Sequence, residues 1–440
     1  MRISNIIRKV GASTRSVSFL NSFFSALVGL GTFMLLTRVL SKSNFGAWAF
    51  FISVFTMFDM LRSGMLGSAT VKFYTEKVPD LQLRQIERSV GQLGAKISAF
   101  TLVIPLIYFF FGLEESYPAY SLIAYAFVPL SFINLIPSVA TWFCQAKQGF
   151  KQMLYVRAAS QLSFLLFAVA GLFWEYSLNT VFLGYMGSWL IATLYVLSAR
   201  LVKLSWILNK ERAFRAQLLS YGKFTMTTLL GSNMLKNSDT YLIMGFLNEF
   251  SVARYSVPDR ILGFIDMPIR AFTTADFPRF VALVNQKLEE ELQDAFNKGL
   301  GLALVVVWPI SLAVFLGAEE LVVHIAGPNY RDSSLILRIF AIYGFLLPLD
   351  RYTGIMIDAL GFPKKNMYKV LSMLLLNVVL DVVVLSLGYG VESVAMVSLA
   401  TYSLGVTFGF IVIRKKVKLE IFKSLSIGLK LMLLKIGLKV

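Results

Sequence analysis

The sequence predicts an all-α integral membrane protein of about twelve transmembrane helices, arranged as two similar halves. Three observations carry this. The 440 residues are 57% hydrophobic and 15% charged, with a mean hydropathy of +0.69, the composition of a chain that sits in lipid. Apolar stretches of span length recur twelve times. The basic residues concentrate in alternate intervening segments, as a chain that zigzags across a bilayer requires.

In order, the predicted spans are 16–38, 45–65, 92–112, 119–142, 157–174, 178–199, 222–246, 252–274, 299–318, 334–357, 367–388 and 391–413. The basic start and the apolar run after it are too long for a signal-peptide core and lack a small-residue cleavage site, so they read as an uncleaved first span. Cationic segments begin with Arg2, Arg8, Lys9 and Arg15 and continue with Arg62, Lys72, Lys77, Arg84, Arg88 and Lys96. They recur at Lys147, Lys151 and Arg157, from Arg200 through Lys210 to Lys223, at Arg279, Lys287 and Lys298, and at Lys364, Lys365 and Lys369. The tail holds Arg414 to Lys439. The segments between them are short and acidic or neutral, such as LEESYP at 113–118, EYSLN at 175–179 and GAEE at 317–320. Both termini are therefore expected in the cytoplasm. The organisation predicted is an N-terminal six-helix bundle over 1–205, a second over 206–413, and a basic amphipathic tail over 414–440 that lies on the anionic inner leaflet. Pro105, Pro129, Pro137, Pro268, Pro309 and Pro348 sit within spans and should kink them.

The net charge of +17 would suggest nucleic acid on a soluble chain; here its placement sets topology, and no nucleic-acid partner is implied. One cysteine, Cys144, excludes a disulfide framework or a cysteine-rich metal site. The single histidine, His324, beside a Gly-Pro loop, reads as a surface residue. No phosphate-binding loop, zinc-spaced ligand set or nucleophile elbow occurs. No catalytic residue, metal or cofactor is called.

Residues 236–279 depart from the surrounding apolarity. They carry Lys236, Asp239, Arg254, Asp259, Arg260, Asp266, Arg270, Asp276 and Arg279 among large apolar residues. On a helix Asp259, Asp266 and Arg270, spaced by seven and four, share one stripe. Charges at membrane depth are costly and normally face a bundle interior or a wet cavity. A single ion pair would read as a lock between helices; this many point to a polar internal cavity. An ungapped self-alignment at an offset of 207 residues places Asp59–Met60 on Asp266–Met267, and Trp48 on Tyr255. Halves repeated in the same orientation hold their site between them, near the midplane.

The stretches LLTRVLSKSNFGAWAFFISV at 35–54, NSDTYLIMGFL to PIRAFTTADFPRF within 237–280, and GPNYRDSSLILRI at 327–339 resemble the O-antigen-type polysaccharide flippases. These belong to the multidrug/oligosaccharidyl-lipid/polysaccharide exporter superfamily. The resemblance covers essentially the whole chain. It implies two six-helix bundles in a V around a central cavity, alternating access, and a bacterial inner-membrane location. The implied cargo is an undecaprenyl-diphosphate-linked oligosaccharide, moved from the cytoplasmic to the periplasmic leaflet. Membrane lipids, a polysaccharide polymerase and a chain-length regulator are the implied partners. No fixed residue pattern transfers from the family, so the site residues rest on this chain.

A charged headgroup needs a wet, partly cationic path. Lys236, Arg260, Arg270 and Arg351 are the candidates to meet the diphosphate. Asp59, Asp239, Asp266, Asp350 and Asp381 could balance them or contact sugar hydroxyls. Asp239, Asp266 and Asp381 are the candidates to couple a proton or Na⁺. Tyr221, Tyr241, Tyr255 and Tyr343 could pack on sugar faces, although each alone reads as an anchor or core residue. Two alternatives stay open: a drug or cation antiporter of the same superfamily, and a membrane glycosyltransferase, polymerase or ligase.

Overall fold

The computed structural model describes residues 14–75, 79–103, 106, 110, 118–147, 149–174, 176–208 and 211–435. The expectations at Arg2, Arg8, Lys9, Lys77, Pro105, the loop at 113–117, Glu175, Lys210 and Lys439 concern residues outside them. The described chain is helical throughout, without strands.

The elements are α1 (Thr14–Val39), α2 (Lys42–Arg62), α3 (Asp80–Phe100), α4 (Pro118–Ala146), α5 (Phe150–Ala170), α6 (Leu178–Ser198), α7 (Arg215–Phe246) and α8 (Glu249–Asn285). They continue as α9 (Glu289–Leu316), α10 (Ala318–Ala326), α11 (Ser334–Gly344), α12 (Leu347–Ala359), α13 (Pro363–Ser386), α14 (Val391–Ile413) and α15 (Ile421–Lys435). Polar caps set several starts: the side chains of Ser41, Ser177 and Asn248 accept from the backbone N–H three residues on.

Helices overlie, at least in part, each of the twelve predicted stretches. Among the described residues seven are long and apolar enough to cross a membrane, or eight when the bent pair Pro328–Gly344 and Leu347–Ala359 forms one span. α7 and α8 have the length without the apolarity. The chain is thus an all-α, multi-pass membrane protein. Pro129, Pro137, Pro268 and Pro309 lie inside helices. Pro348 does not: it opens α12 after a break bent by 43°, where its missing N–H costs no helical bond.

The chain divides into two compact units, Met1–Asn233 and Met234–Val440, with α7 running through the division. The first unit packs Leu66, Ile86, Leu135, Phe143 and Leu218 in one core, and groups Trp48, Phe51, Phe127 and Phe182 edge to face in another. In this unit α2 passes through a π-helical turn, Ser63–Gly67, directly after Arg62. The second unit is built on Phe280, Phe296, Leu300, Leu304, Tyr352 and Met356.

Within the predicted tail, α15 packs along α9. The Gln293 side chain exchanges hydrogen bonds with the Lys418 backbone at 2.7 and 2.9 Å, and Ser424 Oγ lies 3.0 Å from Asn297 Oδ1. Gly428 meets Gly301 backbone to backbone, since a Cβ on Gly428 would fall 2.3 Å from the Gly301 carbonyl carbon. These contacts step forward along both helices, so α15 runs parallel to α9. The cause is a small residue every fourth position, which lets two helix backbones approach closely.

Candidate functional site

Two members of the predicted stripe on α8 are paired. Asp266 and Arg270 lie one turn apart, and Arg270 Nε donates to Asp266 Oδ2 at 2.6 Å. Arg351 arrives from α12 and grips the same carboxylate with two donors, Nε to Oδ1 at 3.3 Å and a terminal nitrogen to Oδ2 at 3.2 Å. The Asp266 side chain is 8% exposed, whereas those of Arg270 and Arg351 are 62% and 41% exposed. One buried carboxylate therefore holds two guanidiniums whose remaining N–H groups stay available. The three groups sum to one positive charge, an arrangement suited to a second, incoming anion. Seven residues earlier on α8, Asp259 lies within electrostatic reach of Lys236 and Arg260, and both of these cations are exposed.

A separate centre is acidic. Asp239 of α7 and Asp381 of α13 are buried, and Asn377 Nδ2 donates to both at 2.7 Å. The two carboxylates are thus no farther apart than twice that distance. The Tyr255 hydroxyl donates to Asp239, as do Ser398 Oγ at 3.0 Å and Ser238 Oγ at 3.3 Å. The second oxygen of Asp381 is buried with no hydrogen-bond partner. Among the described residues neither carboxylate forms an ion pair with a lysine or arginine. Two close carboxylates with no lysine or arginine beside them leave an acidic centre whose oxygens suit a small cation.

Asp350, next to Arg351, pairs instead with Lys369 of α13 at 2.6 Å. This corrects the expectation that Lys369 belongs to a solvated basic segment, because only 3% of its side chain is exposed. At one end of α8, Arg254 joins Asp332 at 3.0 Å and Glu392.

Asp59 lies in the other unit. It pairs with Arg62, and Asn134 Nδ2 donates to it at 3.3 Å. Arg62 is buried and donates also to Ser98 Oγ at 3.0 Å and the Ser131 carbonyl at 2.8 Å, tying α2 to α3 and α4. Arg62 is therefore not the solvated topogenic cation expected of it. The pair floors a cleft walled by Phe55, Phe58, Phe100 and Phe127.

Two tyrosines expected to pack on sugars are engaged elsewhere. Tyr343 stacks on Tyr402 with ring centroids 4.5 Å apart, and Tyr255 is buried against Phe340. Tyr221 carries the Lys72 ammonium over its ring at 4.3 Å, and Tyr241 is half-buried. Sequence reasoning missed Arg62, Lys369, Asn377 and Ser398. The spacing of Lys369, Asn377 and Asp381 by eight and four residues, one face of α13, was the available signal.

The family model described as polysaccharide biosynthesis protein matches residues 14–284, and the MatE model matches 225–383. A curated relative, the probable low-salt glycan biosynthesis flippase Agl15 of Haloferax volcanii, is 20% identical over 216 residues. The match covers 47% of this chain, which spans about half the length of that relative (46%). Among solved structures, the lipid II flippase MurJ in an inward closed conformation is similar, with a TM-score of 0.73 at 16% identity. That likeness covers 95% of this chain and 91% of MurJ. An inward-facing multidrug resistance MATE family transporter of the MOP superfamily gives a TM-score of 0.72 at 14% identity, covering 89% of this chain and 94% of the transporter. The fold is that of membrane transporters.

Proposed function

Since the chain belongs to the polysaccharide biosynthesis protein family, we propose that it is a flippase for an undecaprenyl-diphosphate-linked oligosaccharide, an O-antigen or similar surface-polysaccharide repeat unit. The cargo moves from the cytoplasmic to the periplasmic leaflet of a bacterial inner membrane by alternating access, in a protein whose termini are both cytoplasmic. The observation that carries the reading is the pair of exposed guanidiniums on Asp266, in a chain otherwise made for lipid. A diphosphate is an anion of suitable size and charge for two splayed arginines. Lys236 and Arg260 extend the cationic stripe.

The membrane potential favours this direction. An inside-negative potential of about 100 mV is worth about 2.3 kcal/mol per charge, so a headgroup with roughly two negative charges gains about 5 kcal/mol on export. Asp239 and Asp381 form the ion-coupling centre, loading a proton or Na⁺, and Asp266 balances the arginines. A polymerase and a chain-length regulator would consume the exported unit.

A second reading is a drug or cation antiporter. The uncompensated acidic pair and the MatE match over 225–383 favour it. The two are separated by deleting the gene and extracting lipids. The flippase reading expects undecaprenyl-linked repeat units to accumulate, whereas unchanged lipids with raised sensitivity to cationic drugs would reverse the assignment.

A further inference from the structure

Lys369 is not used in the function above. Its ammonium has three protons, and three acceptors surround it: Asp350 Oδ1 at 2.6 Å, the Asp350 carbonyl at 2.9 Å and Thr353 Oγ1 at 3.4 Å. An ammonium whose side chain is only 3% exposed, closed in by these groups, cannot bind cargo. Whatever it does, it does through the residues it holds.

Those residues sit at a junction. On α12, Asp350 reaches toward α13, and the very next residue, Arg351, reaches α8 to grip Asp266. Successive residues on a helix are turned by about 100°. Rotating α12 by one residue would therefore carry the guanidinium away from Asp266. The ion pair with Lys369 blocks that rotation. Gly405 of α14 closes over the pair: a Cβ there would lie 2.8 Å from Asp350 Oδ1 and 2.6 Å from Met373 Sδ. Meanwhile Lys369, Asn377 and Asp381 occupy one buried face of α13. One rigid helix thus carries both the lysine that orients Arg351 and the residues of the acidic centre.

We propose that Lys369 is a positioning residue that sets the rotation of α12, keeping Arg351 on Asp266 with its free N–H groups turned to an anionic headgroup. Through α13 it links the arginine site to the acidic centre. The nature of the ligand rests on the flippase reading; the link between Lys369 and Arg351 does not.

The test is a double-mutant cycle on the full-length protein, with Lys369→Met and Arg351→Ala made singly and together. Asp350→Asn/Lys369→Met, which leaves no unpaired charge, stands in for Lys369→Met if that variant does not fold. Two quantities are read: thermal unfolding in detergent, and KM for flipping a fluorescent undecaprenyl-diphosphate-linked sugar in proteoliposomes. Lys369→Met is expected to raise KM about tenfold with the maximal rate changed by less than about twofold. Once Arg351 is absent, it should add nothing to KM, and the losses in unfolding temperature should be less than additive. The exchanged pair Asp350→Lys/Lys369→Asp should restore the wild-type KM. Additive losses in both readouts would overturn the proposal. Wild-type protein that flips no such lipid would overturn the flippase reading alone, and the thermal cycle would then decide the link.

Discussion

Asp239 and Asp381 share a single donor: Asn377 Nδ2 stands 2.7 Å from an oxygen of each. Two buried carboxylates on one neutral amide lack a positive charge, and the coupling role proposed for this centre supplies a mobile one. Asp381→Asn is expected to abolish the response of transport to an imposed proton or sodium gradient, with flux driven by the membrane potential persisting. Proteoliposome assays with one gradient at a time check this. A mutant that keeps its gradient response would remove the coupling role from this centre.

Arg270→Ala is expected to weaken flipping strongly at low cargo concentration while the protein still inserts and folds, because it halves the exposed cationic pair. Hydrogen bonds to charged groups are worth about 1.5–3 kcal/mol each, so the loss of headgroup affinity should be roughly 10- to 100-fold. Arg270→Lys, which keeps the charge without the fork, should recover only part of it. Full activity in the alanine variant would show that the α8 stripe does not meet the cargo.

The docking of α15 gives a prediction about stability. Gly428→Leu drives a side chain into the Gly301 backbone, and overpacking of this kind costs about 1–3 kcal/mol or more. The variant should unfold at lower temperature, and its tail should become more accessible to protease. An unchanged unfolding temperature would mean that the α9–α15 contact is dispensable.

On α3, burial raises the Glu87 carboxyl above the ordinary glutamate range, against the opposing hydrogen bond from the Tyr74 hydroxyl at 3.0 Å and the charge of Lys147. A carboxyl that binds its proton more tightly folded than unfolded contributes stability at low pH, lost as pH rises through the folded value. Glu87→Gln should therefore flatten the decline in unfolding temperature above the usual carboxylate range. A decline identical to that of wild type would assign it to other groups.

Much of this was legible beforehand. Span-length apolar runs locate the helices, because lipid admits few alternatives to a helix. The four-residue spacing of Asp266 and Arg270 implies their pairing. What stayed hidden depends on rotation and contact. Lys369 follows Lys364 and Lys365 and so reads as one more solvated cation; the packing of α13 against α12 and α14 buries it. Asn377 is neutral and carries no signal until two carboxylates converge on it. Ser424 and Gly428 look like breaks in an amphipathic tail, yet they are the face that touches α9. Tyr343 alone reads as an anchor or core residue, and its stacking partner Tyr402 is visible only in the fold.

The most direct test of the central claim is flipping of an undecaprenyl-diphosphate-linked oligosaccharide by purified protein in proteoliposomes, comparing wild type with Arg270→Ala/Arg351→Ala. The account predicts transfer by the wild type, faster with the inside negative, and none by the double variant. Equal transfer by the two proteins would contradict it.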